Sequence, residues 1–183
     1  IRAQDTIEEI KRKARIATIL GTIQSTLTYF PYLRKEWKEN TEAERLLGVS
    51  MTGILDNNLL NNPDNPNLPN LLESVRQVCI ETNEFLALDL GIERSGAITC
   101  VKPSGTVSQL VNTASGLHPR HAKYYYRRVR NDNKDPLTQF MIEQGIQNEP
   151  DISKPNSSTV FTFPIKAPEN AITRNEISAL THL

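Results

Sequence analysis

The chain has 183 residues, and its 21 basic and 21 acidic side chains cancel, so bulk electrostatics gives no reason to expect a polyanion partner. Hydrophobic residues make up 38% and charged residues 23%, which fits one folded core and excludes a disordered chain. No apolar run approaches the roughly 18 residues that a membrane helix needs, no signal peptide is visible, and two cysteines are too few for a disulfide scaffold or a metal cluster.

In chain order, Thr6-x-x-Glu9 has capping-box spacing, and Ile7, Ile10, Ala14, Ala17 and Leu20 fall on one helical face. Gly21 is expected to interrupt that helix before Ile23, Leu27 and Phe30, with Pro31 near its end. A second box, Thr41-x-x-Glu44, is expected to open a short helical segment through Leu46 and Leu47. The stretch Gly48–Ile54 is small and bounded by glycines, unlike a surface helix. Residues 57–70, with seven asparagines and three prolines, read as a solvated connection without chemistry. Pro69 then suits the first turn of a long helix whose stripe is Leu71, Leu72, Val75, Val78, Cys79, Thr82, Phe85 and Leu86, ending at Gly91.

Ala97–Val101 reads as a buried strand, which would make Cys100, like Cys79 on its helix, an inert packing residue. Directly after it comes Lys102-Pro103-Ser104-Gly105-Thr106-Val107-Ser108-Gln109-Leu110. A strand that turns at Pro-Ser-Gly-Thr and opens a helix gathers free N–H groups and hydroxyls at one point, which suits an anion. The other reading is a Ser/Thr-capped helix with no ligand. The motif is neither a P-loop nor G-x-G-x-x-G.

Further along, Tyr124–Arg130 is expected as a strand with an aromatic inner face and an arginine-covered outer one; tyrosine interleaved with arginine also occurs in nucleic-acid binders. Leu137, Phe140, Met141 and Ile146 suit a helix face, and Thr159–Ile165 a strand apolar on both sides. A third box, Thr173-x-x-Glu176, is expected to open a last helix through Ile177, Leu180 and Leu183 that is cut short, as in a fragment. His118 and His121 lack a third ligand and read as loop residues shaping the floor of a pocket.

The run Lys102–Leu110, continued by Ser115-Gly116-Leu117-His118-Pro119-Arg120 and by Tyr125–Arg130, resembles the catalytic subunit of ribonucleotide reductase. Within that family the likeness is to the adenosylcobalamin-dependent (class II) enzymes, including phage-type members. Thr18–Thr28 and Arg45–Asp56 resemble further segments of the same subunit, in the same order.

The resemblance implies an α/β fold: residues 1–183 would be the C-terminal portion of a ten-stranded α/β barrel, with no complete second domain. It implies that Ser104, Gly105, Thr106, Val107 and Ser108 bind the substrate phosphates, Val107 through its backbone N–H alone. The complete enzyme would reduce ribonucleoside di- or triphosphates to 2'-deoxyribonucleotides by radical chemistry. It would use adenosylcobalamin and a thioredoxin-like reductant in the cytoplasm, a host's cytoplasm if phage-encoded, with no membrane or nucleic acid as partner. Its radical cysteine sits in a finger loop of Asn-Pro-Cys-x-Glu type, and no such stretch occurs in this sequence. Neither Cys79 nor Cys100 matches the family's catalytic cysteines, so no residue here is expected to be catalytic and the chain alone is expected to be inactive. Such a piece should associate with itself or with the rest of the barrel, whose strands would cover its open edges. A different class of function, a non-catalytic nucleotide- or phosphate-binding module, would use the same turn.

Overall fold

Thr6 accepts the Glu9 N–H at 3.3 Å while the Glu9 carboxylate accepts the Thr6 N–H at 2.7 Å, so the first capping box forms as read and starts helix α1, Ile7–Gln24. The computed structural model describes residues 1–182; Leu183, counted in the last helix above, lies outside the described residues. The chain divides into two compact units, one made of Ile1–Arg120 with the segment from Asn170 onward, the other of His121–Glu169.

In the first unit α1 runs on through Gly21, and its buried stripe is Ile10, Ala14, Thr18 and Thr22 rather than Ala17 and Leu20. The two threonines are tolerated inside because each hydroxyl donates to the carbonyl four residues earlier. Helix α2, Lys35–Glu44, corrects the second capping box: Thr41 is interior, donating to the Trp37 carbonyl, and Glu44 ends the helix. The ion pairs Lys35–Glu39 and Lys38–Glu42, one turn apart, favour this earlier start. After the 3-10 turn Ile54–Asp56, helix α3 spans Leu68–Leu90 with Pro69 in its first turn and Gly91, at φ 64°, as its left-handed cap.

α3 packs on α1, burying Val75, Cys79, Asn83 and Ala87, while Phe85 is 74% exposed. Asn83 takes the place of an apolar residue by donating to Thr22 Oγ1 (2.9 Å) and Ser95 Oγ (3.0 Å) and accepting the Ser95 N–H (2.9 Å). The core of this unit is Ile10, Ala14, Leu60, Val75, Cys79 and Ile98. The asparagine-rich stretch is therefore not wholly solvated. Leu60 is buried, and Asn57 is fully enclosed with its amide donating to the carbonyls of Arg2 and Asp5.

Residues 97–101 are extended but form only a single parallel bridge, Val49↔Thr99, in place of the expected buried strand. Only one edge is paired, so only Ile98 is buried; Cys100 is exposed, against the packing role read for it. The four-residue helix α4, Val107–Leu110, follows.

The second unit holds strands β1, Tyr124–Asp132, β2, Asn148–Pro150, and β3, Ser158–Lys166, with helix α5, Pro136–Glu143. They form one antiparallel sheet in the order β1-β3-β2, registered Tyr124↔Lys166 to Asp132↔Ser158 and Asn148↔Phe161. Phe161 is its fully buried centre, and Pro164 falls beyond the end of β2, where β3 has a free edge that tolerates a missing N–H. Tyr124 and Tyr126 share the exposed face of β1 with Arg128 and Arg130, so the tyrosines do not form an inner aromatic face. On α5 Leu137 and Phe140 are more than half exposed and Thr138 is buried.

The third capping box also differs. Glu176 accepts the Thr173 N–H, but the chain bends, and helix α6 starts only at Ala179 (Ala179–His182) after a Ser178 cap. Thr173 instead bridges Arg120 in the first unit. The fold is mixed α/β with this three-stranded sheet; a ten-stranded barrel is not seen among the described residues.

Candidate functional site

The turn after residue 101 is built from small polar residues that bond to one another and leave their outer amides free. Ser104 Oγ accepts the Ser108 N–H at 3.2 Å, and Ser108 Oγ donates back to the Ser104 carbonyl at 3.1 Å. The Ser104 carbonyl also accepts from Ser115 Oγ. These bonds fix both ends of Ser104–Ser108. Between them, the N–H groups of Gly105, Thr106 and Val107 have no acceptor among the described residues, and the Thr106 hydroxyl does not cap α4. A free amide triplet with an adjacent hydroxyl is a natural anion receptor. Gly105, Thr106 and Val107 are exposed and Ser104 half-buried, whereas Ser108 is fully buried and its hydroxyl is engaged inside the turn.

A second layer braces the turn. Gly116, at φ 56°, lies so close to residue 102 that a Cβ there would come 2.8 Å from the Lys102 carbonyl oxygen. The Ser108 carbonyl accepts the Thr113 N–H at 2.9 Å. The Ala114 N–H donates to Asp56 Oδ2 at 2.8 Å, and the Ala114 carbonyl accepts the Gly53 N–H at 2.9 Å. Arg120 closes this layer: its Nε lies 3.0 Å from Asp56 Oδ1, and its Nη2 lies 2.8 Å from Asp56 Oδ2 and 2.9 Å from the Asn112 carbonyl.

The turn lies on the wall of a cavity of about 820 Å³ in the first unit, with Lys13, Cys79, Cys100 and Lys102 also on its walls. Lys13 is tied to Asp5 at 2.5 Å. Burial works against the Asp5 charge, but the Lys13 ammonium and the Arg2 N–H outweigh it and hold the carboxyl below its ordinary value.

His118 meets His182 edge to face with ring centroids 5.7 Å apart, and His121 lies against Tyr125 in the second unit. No three metal-ligating side chains gather among the described residues, and no described helix is long and apolar enough to cross a membrane. Sequence reasoning did not single out Asp56 and Arg120, which brace the turn. Arg120 already stood in the quoted run Ser115–Arg120, and an arginine in a glycine- and proline-bounded loop was the one signal available for it.

With this geometry in place, the relatives become informative. They are adenosylcobalamin-dependent ribonucleoside-triphosphate reductases. The protein of that name from Euglena gracilis is 28% identical over 177 residues, which is 95% of this chain and 23% of the relative. That from Lactobacillus gasseri is 28% identical over 178 residues, 85% of this chain and 24% of the relative. That from Lactobacillus acidophilus is 35% identical over 111 residues, 61% of this chain and 15% of the relative. A crystal structure of a B12-dependent (class II) ribonucleotide reductase shares the fold with a TM-score of 0.70 at 24% identity, over 87% of this chain and 26% of that one. No family model matches. The chain thus spans about a quarter of the length of the curated relatives it matches.

Proposed function

We propose that this chain is the substrate-gripping, C-terminal barrel portion of a class II, phage-type ribonucleotide reductase, and that Ser104, Gly105, Thr106 and Val107 hold the phosphates of a ribonucleoside di- or triphosphate. The observation that carries this reading is the row of three unpartnered amides in a sequence whose relatives, along 95% of its length, are ribonucleoside-triphosphate reductases. Ser108, whose hydroxyl is occupied by the Ser104 carbonyl, ties the turn together and comes to the phosphate as its closest support. In the whole enzyme the grip fixes where the ribose lies, and reaction rates respond steeply to errors of about 1 Å in such positioning.

Adenosylcobalamin supplies the radical in the enzymes that the relatives' names describe. The chain carries no counterpart of the radical cysteine: Cys79 is enclosed in the core and Cys100 lies outside any finger-loop motif. The chain's share of the chemistry is therefore binding and orientation, it turns over no substrate alone, and the radical cysteine, the cofactor and the thioredoxin-like reductant act with the rest of the barrel. Leu20, Ile23, Phe85 and Leu88, all at least half exposed, are apolar surface that such a remainder would cover. The setting is cytoplasmic, in a host cell if the gene is a phage's, without membrane or nucleic-acid partners.

Calorimetric titration with a ribonucleoside triphosphate tests the reading. Thr106→Val removes one charge-assisted hydrogen bond and should weaken binding by roughly 1.5–3 kcal/mol. Equal affinity of the variant and the parent chain would refute the assignment of the turn.

A further inference from the structure

The cation nearest to the turn in sequence has an unusual seat. Lys102 is exposed, yet its side chain lies back over Gly48, where a Cβ would come 2.3 Å from Nζ and 2.7 Å from Cε. The same point lies 3.7 Å from Cys100 Sγ, so the ammonium rests on the cavity wall beside the thiol. Of the lysine and arginine side chains lining this cavity, Lys13 is paired with Asp5 and Arg76 with Glu73 at 2.8 Å. Lys102 has neither a carboxylate nor a hydrogen-bond partner among the described residues. An uncompensated ammonium, seated over a glycine whose Cβ would push it aside and three residues before the first free amide, is placed to receive negative charge that the amides do not cover.

We propose that Lys102 binds the outer phosphates of a nucleoside di- or triphosphate, and that Gly48 is the residue that lets its ammonium reach them. This rests on the turn holding the phosphate nearest the ribose. The two contacts then divide the phosphate chain, and affinity should climb from mono- to di- to triphosphate because of Lys102. A surface lysine with no ligand would give no such dependence on chain length.

The test is titration of the 183-residue chain with CMP, CDP and CTP at low ionic strength, with thermal melting to verify that each variant is folded. Lys102→Met should weaken CTP binding about tenfold and CMP binding less than about twofold, flattening the series, while Lys102→Arg should restore most of the CTP affinity. Gly48→Ala, which keeps the charge but fills its seat, should flatten the series as well. Thr106→Val should instead weaken all three nucleotides together. A series equally steep in the parent chain and in Lys102→Met, with Thr106→Val still weakening all three, would overturn the role of Lys102 and leave the turn assignment standing. A Thr106→Val variant that binds all three like the parent would overturn the turn assignment itself. No binding of any of the three by the folded parent chain would overturn both.

Discussion

Arg120 lays its guanidinium across both carboxylate oxygens of Asp56, 64 residues earlier, and the two side chains are only 3% and 1% exposed. The pair joins the Gly53–Asp56 turn to the Asn112–Ala114 loop, because Asp56 also accepts the Ala114 N–H and Arg120 also donates to the Asn112 carbonyl. That loop in turn bonds the Ser108 carbonyl through Thr113. A buried bidentate pair thus stands behind the candidate phosphate turn.

Breaking this pair from one side should be costly. Arg120→Met leaves the Asp56 charge enclosed and unpaired, a loss of about 3–5 kcal/mol that urea denaturation can measure. The double variant Asp56→Leu/Arg120→Met removes both charges and should recover a large part of it. Equal stability of the single and double variants would show that the two side chains are not coupled.

Asn83 should be equally intolerant of truncation, for a different reason. Asn83→Ala strips partners from Thr22 Oγ1, Ser95 Oγ and the Ser95 N–H between α1 and α3, and each donor or acceptor left buried without a partner costs about 1–3 kcal/mol. Asn83→Asp, which cannot donate to both hydroxyls when ionised, should also destabilise. A thermal midpoint unchanged in both variants would contradict this account of the α1–α3 contact.

The second unit should carry a pH dependence through Asp151. The Ser153 N–H, followed by the Arg130 guanidinium at 2.8 Å, holds its carboxyl below the ordinary aspartate value of 3.8. A carboxyl lowered on folding stabilises the native state above its unfolded value, and that contribution is lost as the pH falls through the folded one. Stability should therefore decline on acidification below about pH 4, and less steeply in Asp151→Asn. Parallel melting curves for the two proteins between pH 5 and pH 2 would refute this.

Most helices were legible because their signals are local. Thr6 and Glu9 cap α1, and Pro69 and Gly91 bracket α3, by contacts within a few residues of chain. The same four-residue spacing misled at Thr41, where lysine–glutamate pairs carry the helix to an earlier start, and at Thr173, where pairing with Arg120 bends the chain. The extent of the candidate turn could be read from Ser104, Gly105 and Thr106. What braces it could not be read, since Asp56 and Arg120 meet across 64 residues and an aspartate in an apolar run gives no sign of its partner. The three-stranded sheet was half visible: β1 and β3 have the composition of strands, whereas β2 is three residues with no apolar member but Pro150 and exists only through its pairing with β3.

The proposed phosphate receptor is the set of amides of Gly105, Thr106 and Val107. Amide resonances of the isotope-labelled chain, followed while a ribonucleoside triphosphate and then the bare ribonucleoside are added, test it most directly. The triphosphate should shift those three resonances together, along one saturating curve, and the nucleoside should leave them in place. Shifts of equal size with the nucleoside, or triphosphate shifts that map elsewhere and spare the turn, would contradict that role.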